Sequence, residues 1–110
     1  MPIHLGTLFK KCYSKYAIAA VNVFTMEQIH GLFRAGERAN APFIVQITPV
    51  ARNYANPRML LGMIHSAAKI HPKTKYAIHL DHGIESHVFD AIDSGSYNSV
   101  MIDASHDNFE

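Results

Sequence analysis

Residues Tyr76 to Gly83 read YAIHLDHG. The first half, Tyr76 to Leu80, is apolar enough for a buried strand, yet the second half sets Asp81 between His79 and His82. Residues two apart in a strand share a face, so His79 and Asp81 point one way while Ile78 and Leu80 point the other, towards helices. His82 begins the turn, and Gly83 is expected to let the backbone bend sharply. A carboxylate and an imidazole then stand together at the carboxyl end of a strand, suited to proton transfer by Asp81 and metal ligation by a neutral His82. A competing reading is structural. Asp is a favoured N-cap, and the continuation DHGIES would suit Asp81 or His82 as the cap of the next helix.

Working outward, three further apolar runs have strand character. AIAAVNV (17–23) and PFIVQI (42–47) precede the quoted stretch, and SVMI (99–102) follows it. The first is read as a strand buried on both faces. Between the first two, Thr25 and Gln28 form a capping-box pattern, followed by Ile29, Leu32, Phe33 and Gly36 on one inward helical face. Asn56 and Pro57 read as N-cap and first position of another helix, with Leu60, Leu61, Ile64, Ala67 and Ala68 as its stripe and Pro72 as its stop. A third helix over 85–94 ends at Gly95, a natural left-handed cap.

Short apolar strands alternating with amphipathic helices imply a parallel sheet with right-handed crossovers. Two architectures fit: a small open doubly wound sheet, or the first half of a (β/α)8 barrel, since a complete barrel needs about 250 residues. The glycine-rich turn of a dinucleotide-binding fold is absent, because Val23, Phe24 and Thr25 occupy its place. Each strand closes on polar residues: Asn22, then Gln46 and Thr48, then Asp81 and His82, then Asp103, Ser105 and His106.

Composition narrows the function. With 110 residues, 48% hydrophobic and 17% charged, the chain should be one globular domain over 1–110. A formal net charge of +1 gives no electrostatic reason to expect nucleic acid or an anionic membrane as partner. No apolar run is long enough to span a bilayer, and the N-terminus lacks a signal-peptide core, so a cytoplasmic location is expected. Cys12 is the single cysteine, which rules out an internal disulfide and suits a reducing compartment. No HExxH helix, P-loop or GxSxG elbow is present.

YAIHLDHG followed by SVMIDASH resembles the class II, zinc-dependent ketose-bisphosphate aldolases, which include fructose- and tagatose-bisphosphate aldolases. The first stretch matches that family's histidine–x–aspartate–histidine–glycine signature, and AVNVFTMEQIHGLFRAGERANAPFIVQIT resembles its first two strands and the helix between them. The resemblance runs from about Tyr16 to Glu110. It implies an α/β fold that is the N-terminal half of a (β/α)8 TIM-type barrel: four parallel strands, three intervening helices and an N-terminal helix. It further implies His82 as one of three histidines holding a catalytic Zn2+, and Asp81 as the acid/base handling the C4 hydroxyl proton of a phosphorylated ketose. Asn22 and Thr48 match substrate-pocket positions, Ser105 a weaker one, and Asp103 an acidic position supporting the metal or contacting it directly. His79 is expected to support the site without ligating zinc.

The segment TPVARNYANP departs from the family in lacking a glycine that often follows the second strand. The family's other two zinc histidines, its later acidic signature and its main phosphate loops all correspond to sequence beyond Glu110. The expectation is therefore a truncated chain, inactive by itself, that catalyses aldol cleavage only when completed. A half barrel exposes strand edges and an uncovered inner face, so the isolated residues are expected to be marginally stable or to pair with another copy. The alternative is a catalytically dead half barrel serving as a binding or assembly module.

Overall fold

Helix and strand alternate along the computed structural model, which describes residues 2–109. The order is α1 (Leu5–Cys12), β1 (Ala19–Asn22), α2 (Met26–Ala39), β2 (Phe43–Ile47), α3 (Pro49–Ala55), α4 (Pro57–Ile70), β3 (Tyr76–Gly83), α5 (Glu85–Ser94) and β4 (Ser99–Ile102). All strand pairs are parallel, and the strands lie in chain order β1-β2-β3-β4. That order decides between the two architectures. A doubly wound sheet reverses direction of winding partway, whereas the wall of a barrel adds each strand beside the last.

The local signals act as their chemistry dictates. Thr25 Oγ1 accepts from the Gln28 backbone N–H at 3.4 Å while Gln28 Oε1 accepts from the Thr25 N–H at 3.2 Å, starting α2. Asn56 caps α4 by accepting from the Arg58 N–H at 2.9 Å. Gly95 ends α5 with φ of 62°, where a side chain would be strained.

The core lies between the sheet and its helices. Phe43, Val45 and Ile47 of β2 and Tyr76 and Ile78 of β3 share one face and are buried against Ile29 and Phe33 of α2 and Leu60, Ile64 and Ala67 of α4. Phe33 meets Phe43 edge-on at 5.1 Å and Tyr76 at 4.9 Å between ring centroids. Gly36 is what permits this approach, because a Cβ there would sit 2.3 Å from the Phe43 ring.

Two expectations are corrected. All four residues of β1 are exposed rather than buried on both faces. The strand is a sheet edge with one neighbour, and the adjacent residue that is fully buried is Val23. The crossover helices number four rather than three, since α3 fills a segment read as loop. Thr48 caps it by accepting from the Ala51 N–H at 3.2 Å, with Pro49 at its first position. The buried Arg52 ties α3 to the third crossover, bonding Asp90 of α5 and donating to the Tyr97 hydroxyl at 2.9 Å.

Candidate active site

Strand register places Asn22 beside Gln46, Gln46 beside His79, and His79 beside Ser99, so one polar row crosses all four strands. Gln46 Nε2 lies within donating distance of Asn22 Oδ1 at 2.8 Å and Asp81 Oδ2 at 3.0 Å. His79 Nδ1 is 2.6 Å from Ser99 Oγ, and its Nε2 is 3.8 Å from Asp81 Oδ1. The sheet face opposite the helices thus carries a connected set of polar groups centred on Asp81.

A β-bulge finishes the arrangement. Leu80 pairs with Val100 but Gly83 pairs with Ile102, so β3 spends one residue more than β4 over that interval. A bulge interrupts the period-two alternation. His82 absorbs the kink with φ of 54° and brings its Nε2 to 3.9 Å from Asp81 Oδ1, although the two residues are sequence neighbours. The sharp bend expected of Gly83 therefore falls on His82, one of the residue types enriched at positive φ. Gly83 serves a different need: a Cβ there would meet Leu80 Cδ2 at 2.6 Å.

Neither Asp81 nor His82 caps α5. The N-cap position is Ile84, whose N–H approaches His87 Nδ1 at 3.4 Å. His82 instead bonds across to β4, its Nδ1 lying 2.7 Å from Asp103 Oδ2. Asp103 Oδ1 accepts from the Ser105 backbone N–H at 2.9 Å. The hydrogen bonds from Ser105 and His82 hold the Asp103 carboxyl below the usual carboxylate range. The bond to Asp103, with the nearby Asp81 charge, raises the His82 pKa. Burial lowers that of His79, overriding the opposing pull of Asp81.

Asn22, Thr48, His82 and Asp103 all line one cavity of about 560 Å³, together with Phe24, Pro49, Val50, Ile84, His87 and His106. Four of the six residues singled out from sequence are thereby brought to one space. Asp81 is not among the lining residues; its side chain is 15% exposed and its Oδ1 lies 3.9 Å from Nε2 of the lining His82. Ser105 supports Asp103 rather than lining the cavity. A second cavity, of about 440 Å³ between α2 and α4, is lined by His30 and Arg58 among methionines and aliphatic groups, and holds no carboxylate. From sequence, Gln46 is named only as a polar strand end, without a role, and Ser99 is not singled out. Gln46 had a signal, a polar residue inside the run FIVQI on the same register row as Asn22; Ser99 had none.

Among the described residues no three His, Cys, Asp or Glu side chains gather into a group able to hold a metal ion. At this site His82 has the form of one ligand: its Nδ1 is fixed by a carboxylate, which leaves Nε2 for a metal, the usual outer support of a ligating histidine. A complete three-ligand site would need further donors. No helix among the described residues is long and apolar enough to cross a membrane.

The family model described as fructose-bisphosphate aldolase class-II matches residues 4–110. A fructose-bisphosphate aldolase from Giardia intestinalis is 43% identical over 98 residues, covering 87% of this chain and 30% of that protein. One from Helicobacter pylori (strain ATCC 700392 / 26695) is 33% identical over 103 residues, covering 94% of this chain and 34% of the relative. The chain spans about a third of the length of these curated relatives. Among solved structures, the YdjI aldolase from Escherichia coli K12 superposes with a TM-score of 0.84 at 26% identity, covering 99% of this chain and 42% of that one.

Proposed function

The chain belongs to the class-II fructose-bisphosphate aldolase family, and from that premise we propose that it carries the acid/base part of a site for aldol cleavage and condensation of a ketose bisphosphate. The observation that carries this reading is the setting of Asp81. Its Oδ2 is held by Gln46, while Oδ1 faces His79 and His82 at hydrogen-bonding range plus about one ångström, with no direct side-chain partner among the described residues. A carboxylate so fixed has one oxygen anchored and one available. Asp81 takes the C4 hydroxyl proton during cleavage and returns it in condensation. Asn22 and Thr48 line the space where such a substrate would sit, and the Thr48 hydroxyl retains its proton to donate while accepting from Ala51.

The metal we assign is Zn2+, held by His82 Nε2 with two further histidines supplied from outside these residues. When bound, it supplies Lewis-acid polarisation of the substrate carbonyl. Asp103 orients His82, and Ser105 orients Asp103. On this reading the 110 residues alone are inactive, and the setting is cytoplasmic, in keeping with the lone buried Cys12.

The test is a chimera in which residues 4–110 replace the matching third of the Giardia intestinalis relative. The expected result is zinc-dependent cleavage of fructose 1,6-bisphosphate, lost by about a hundredfold or more in kcat on Asp81→Ala. Cleavage unchanged by that substitution would overturn the role of Asp81. A folded, zinc-loaded chimera without activity would favour a dead half barrel acting as an assembly module.

A further inference from the structure

Ser99 lies on β4 beside His79, and the 2.6 Å separation of Ser99 Oγ from His79 Nδ1 is among the shortest side-chain contacts at the site. The other face of the imidazole looks at Asp81, with Nε2 3.8 Å from Oδ1. An ionised carboxylate has only lone pairs to offer, so the ring nitrogen facing it is favoured when it carries the hydrogen. That leaves Nδ1 as an acceptor, and a hydroxyl is the group that can donate to it. A neutral ring admits only one such arrangement: Ser99 O–H to Nδ1, and Nε2–H towards Asp81. The His79 side chain is 19% exposed, so solvent competes little for either nitrogen.

We propose that Ser99 fixes the tautomer of His79 and that the two form a positioning unit for Asp81, aiming an N–H at the carboxylate oxygen that Gln46 leaves free. Asp81 is then anchored on one oxygen and faced on the other by an N–H dipole, beyond direct hydrogen-bonding range, that leaves Oδ1 open to a substrate proton. Gln46 anchors Oδ2 from β2, and His79 presents Nε2 towards Oδ1 at 3.8 Å from within β3 itself. Ser99 meets His79, and His79 in turn faces Asp81, so on this proposal both act through Asp81 rather than on a ligand. This rests on the acid/base reading of Asp81 for its functional consequence, but the tautomer itself does not.

Two measurements separate those parts. Imidazole nitrogen chemical shifts of the labelled 110-residue chain should show His79 as a single Nε2–H tautomer, becoming a mixture in Ser99→Ala and single again in Ser99→Thr. An Nδ1–H tautomer in the parent, or no change on Ser99→Ala, overturns the proposal. In the chimera, Ser99→Ala should lower kcat about tenfold to a hundredfold with KM unchanged, and Ser99→Thr should restore it. A KM effect alone, or kcat unchanged while the tautomer shifts, overturns the positioning role. A parent chimera that is inactive defeats the aldolase reading instead, and the chemical shifts then decide the Ser99–His79 pairing by themselves.

Discussion

His82 Nδ1 and Asp103 Oδ2 stand 2.7 Å apart across β3 and β4, joining the bulged end of one strand to the last turn of the sheet. The bond raises the pKa of His82, whereas His79, three residues earlier, is lowered by burial. Two histidines in one strand should therefore titrate on opposite sides of the ordinary value of 6.5. The linkage signs also differ. His82 contributes stability below 6.5 that is lost as pH rises through its higher folded value; His79 withdraws stability as pH falls from 6.5 towards its lower one. NMR titration of the ring carbons checks both, and Asp103→Asn should bring the His82 midpoint down. Coincident midpoints in the parent would contradict the structure.

Gln46 is the sole side chain within direct hydrogen-bonding distance of Asp81 among the contacts described. Gln46→Leu keeps the size of the side chain but removes the donor to both Asn22 and Asp81. In the chimera, kcat should fall about tenfold to a hundredfold, because the carboxylate is no longer held on its anchored side. Stability should change by about 1 kcal/mol, the net worth of an ordinary hydrogen bond. Steady-state kinetics alongside urea unfolding distinguishes the two effects, and a loss of activity that merely tracks unfolding would refute the assignment.

Much of this site was legible because strand chemistry is periodic. His79, Ile78 and Leu80 were assigned to opposite faces by alternation alone, and the fully buried Ile78 and Leu80 agree. Thr25, Asn56 and Gly95 declared helix ends through their own hydrogen-bonding and conformational preferences. The bulge was not legible. Its extra residue is defined by pairing with β4, a long-range relation that a local pattern does not carry, and so the burden placed on Gly83 belonged to His82. The helix α3 escaped for a different reason. Thr48 stands at a substrate-pocket position by the sequence resemblance and is also the N-cap of α3, and Thr-Pro is a helix-start signal. Arg52 is buried on that same helix, with Asp90 and Tyr97 as partners.

Three glycines should respond differently to alanine. At Gly36 the new Cβ would lie 2.3 Å from the Phe43 ring, which is itself wedged against Phe33 and Tyr76. At Gly83 it would lie 2.6 Å from the side chain of the fully buried Leu80. Each substitution overfills packed space and should destabilise by about 1–3 kcal/mol. Gly62, in the middle of α4, has nothing within 4 Å, so alanine there should stabilise by about 0.5–1 kcal/mol through helix propensity. Urea midpoints of the three variants give the comparison, and equal effects at Gly36 and Gly62 would contradict the packing described.

The β4 edge should drive self-association of the 110-residue chain. Ile102 is 62% exposed, Val100 and Met101 are each 38% exposed, and on α5 Phe89 and Ile92 are each 59% exposed. Among the described residues β4 has no strand partner beyond β3, so a row of backbone donors and acceptors accompanies these apolar side chains. Apolar area and an open edge on one side of a molecule favour pairing with another copy. Light scattering across a concentration series should show the mass rising above that of a monomer. Val100→Lys with Ile102→Lys places charges along that edge and should return the chain to a monomer; Val100, the partner of Leu80, shares the helix-side face, but neither residue belongs to the Phe33, Phe43 and Tyr76 cluster, which should stay intact. A monomeric mass for the parent at every concentration would refute this edge as the contact, and association that persists in the double variant would shift it to the exposed β1 side of the sheet.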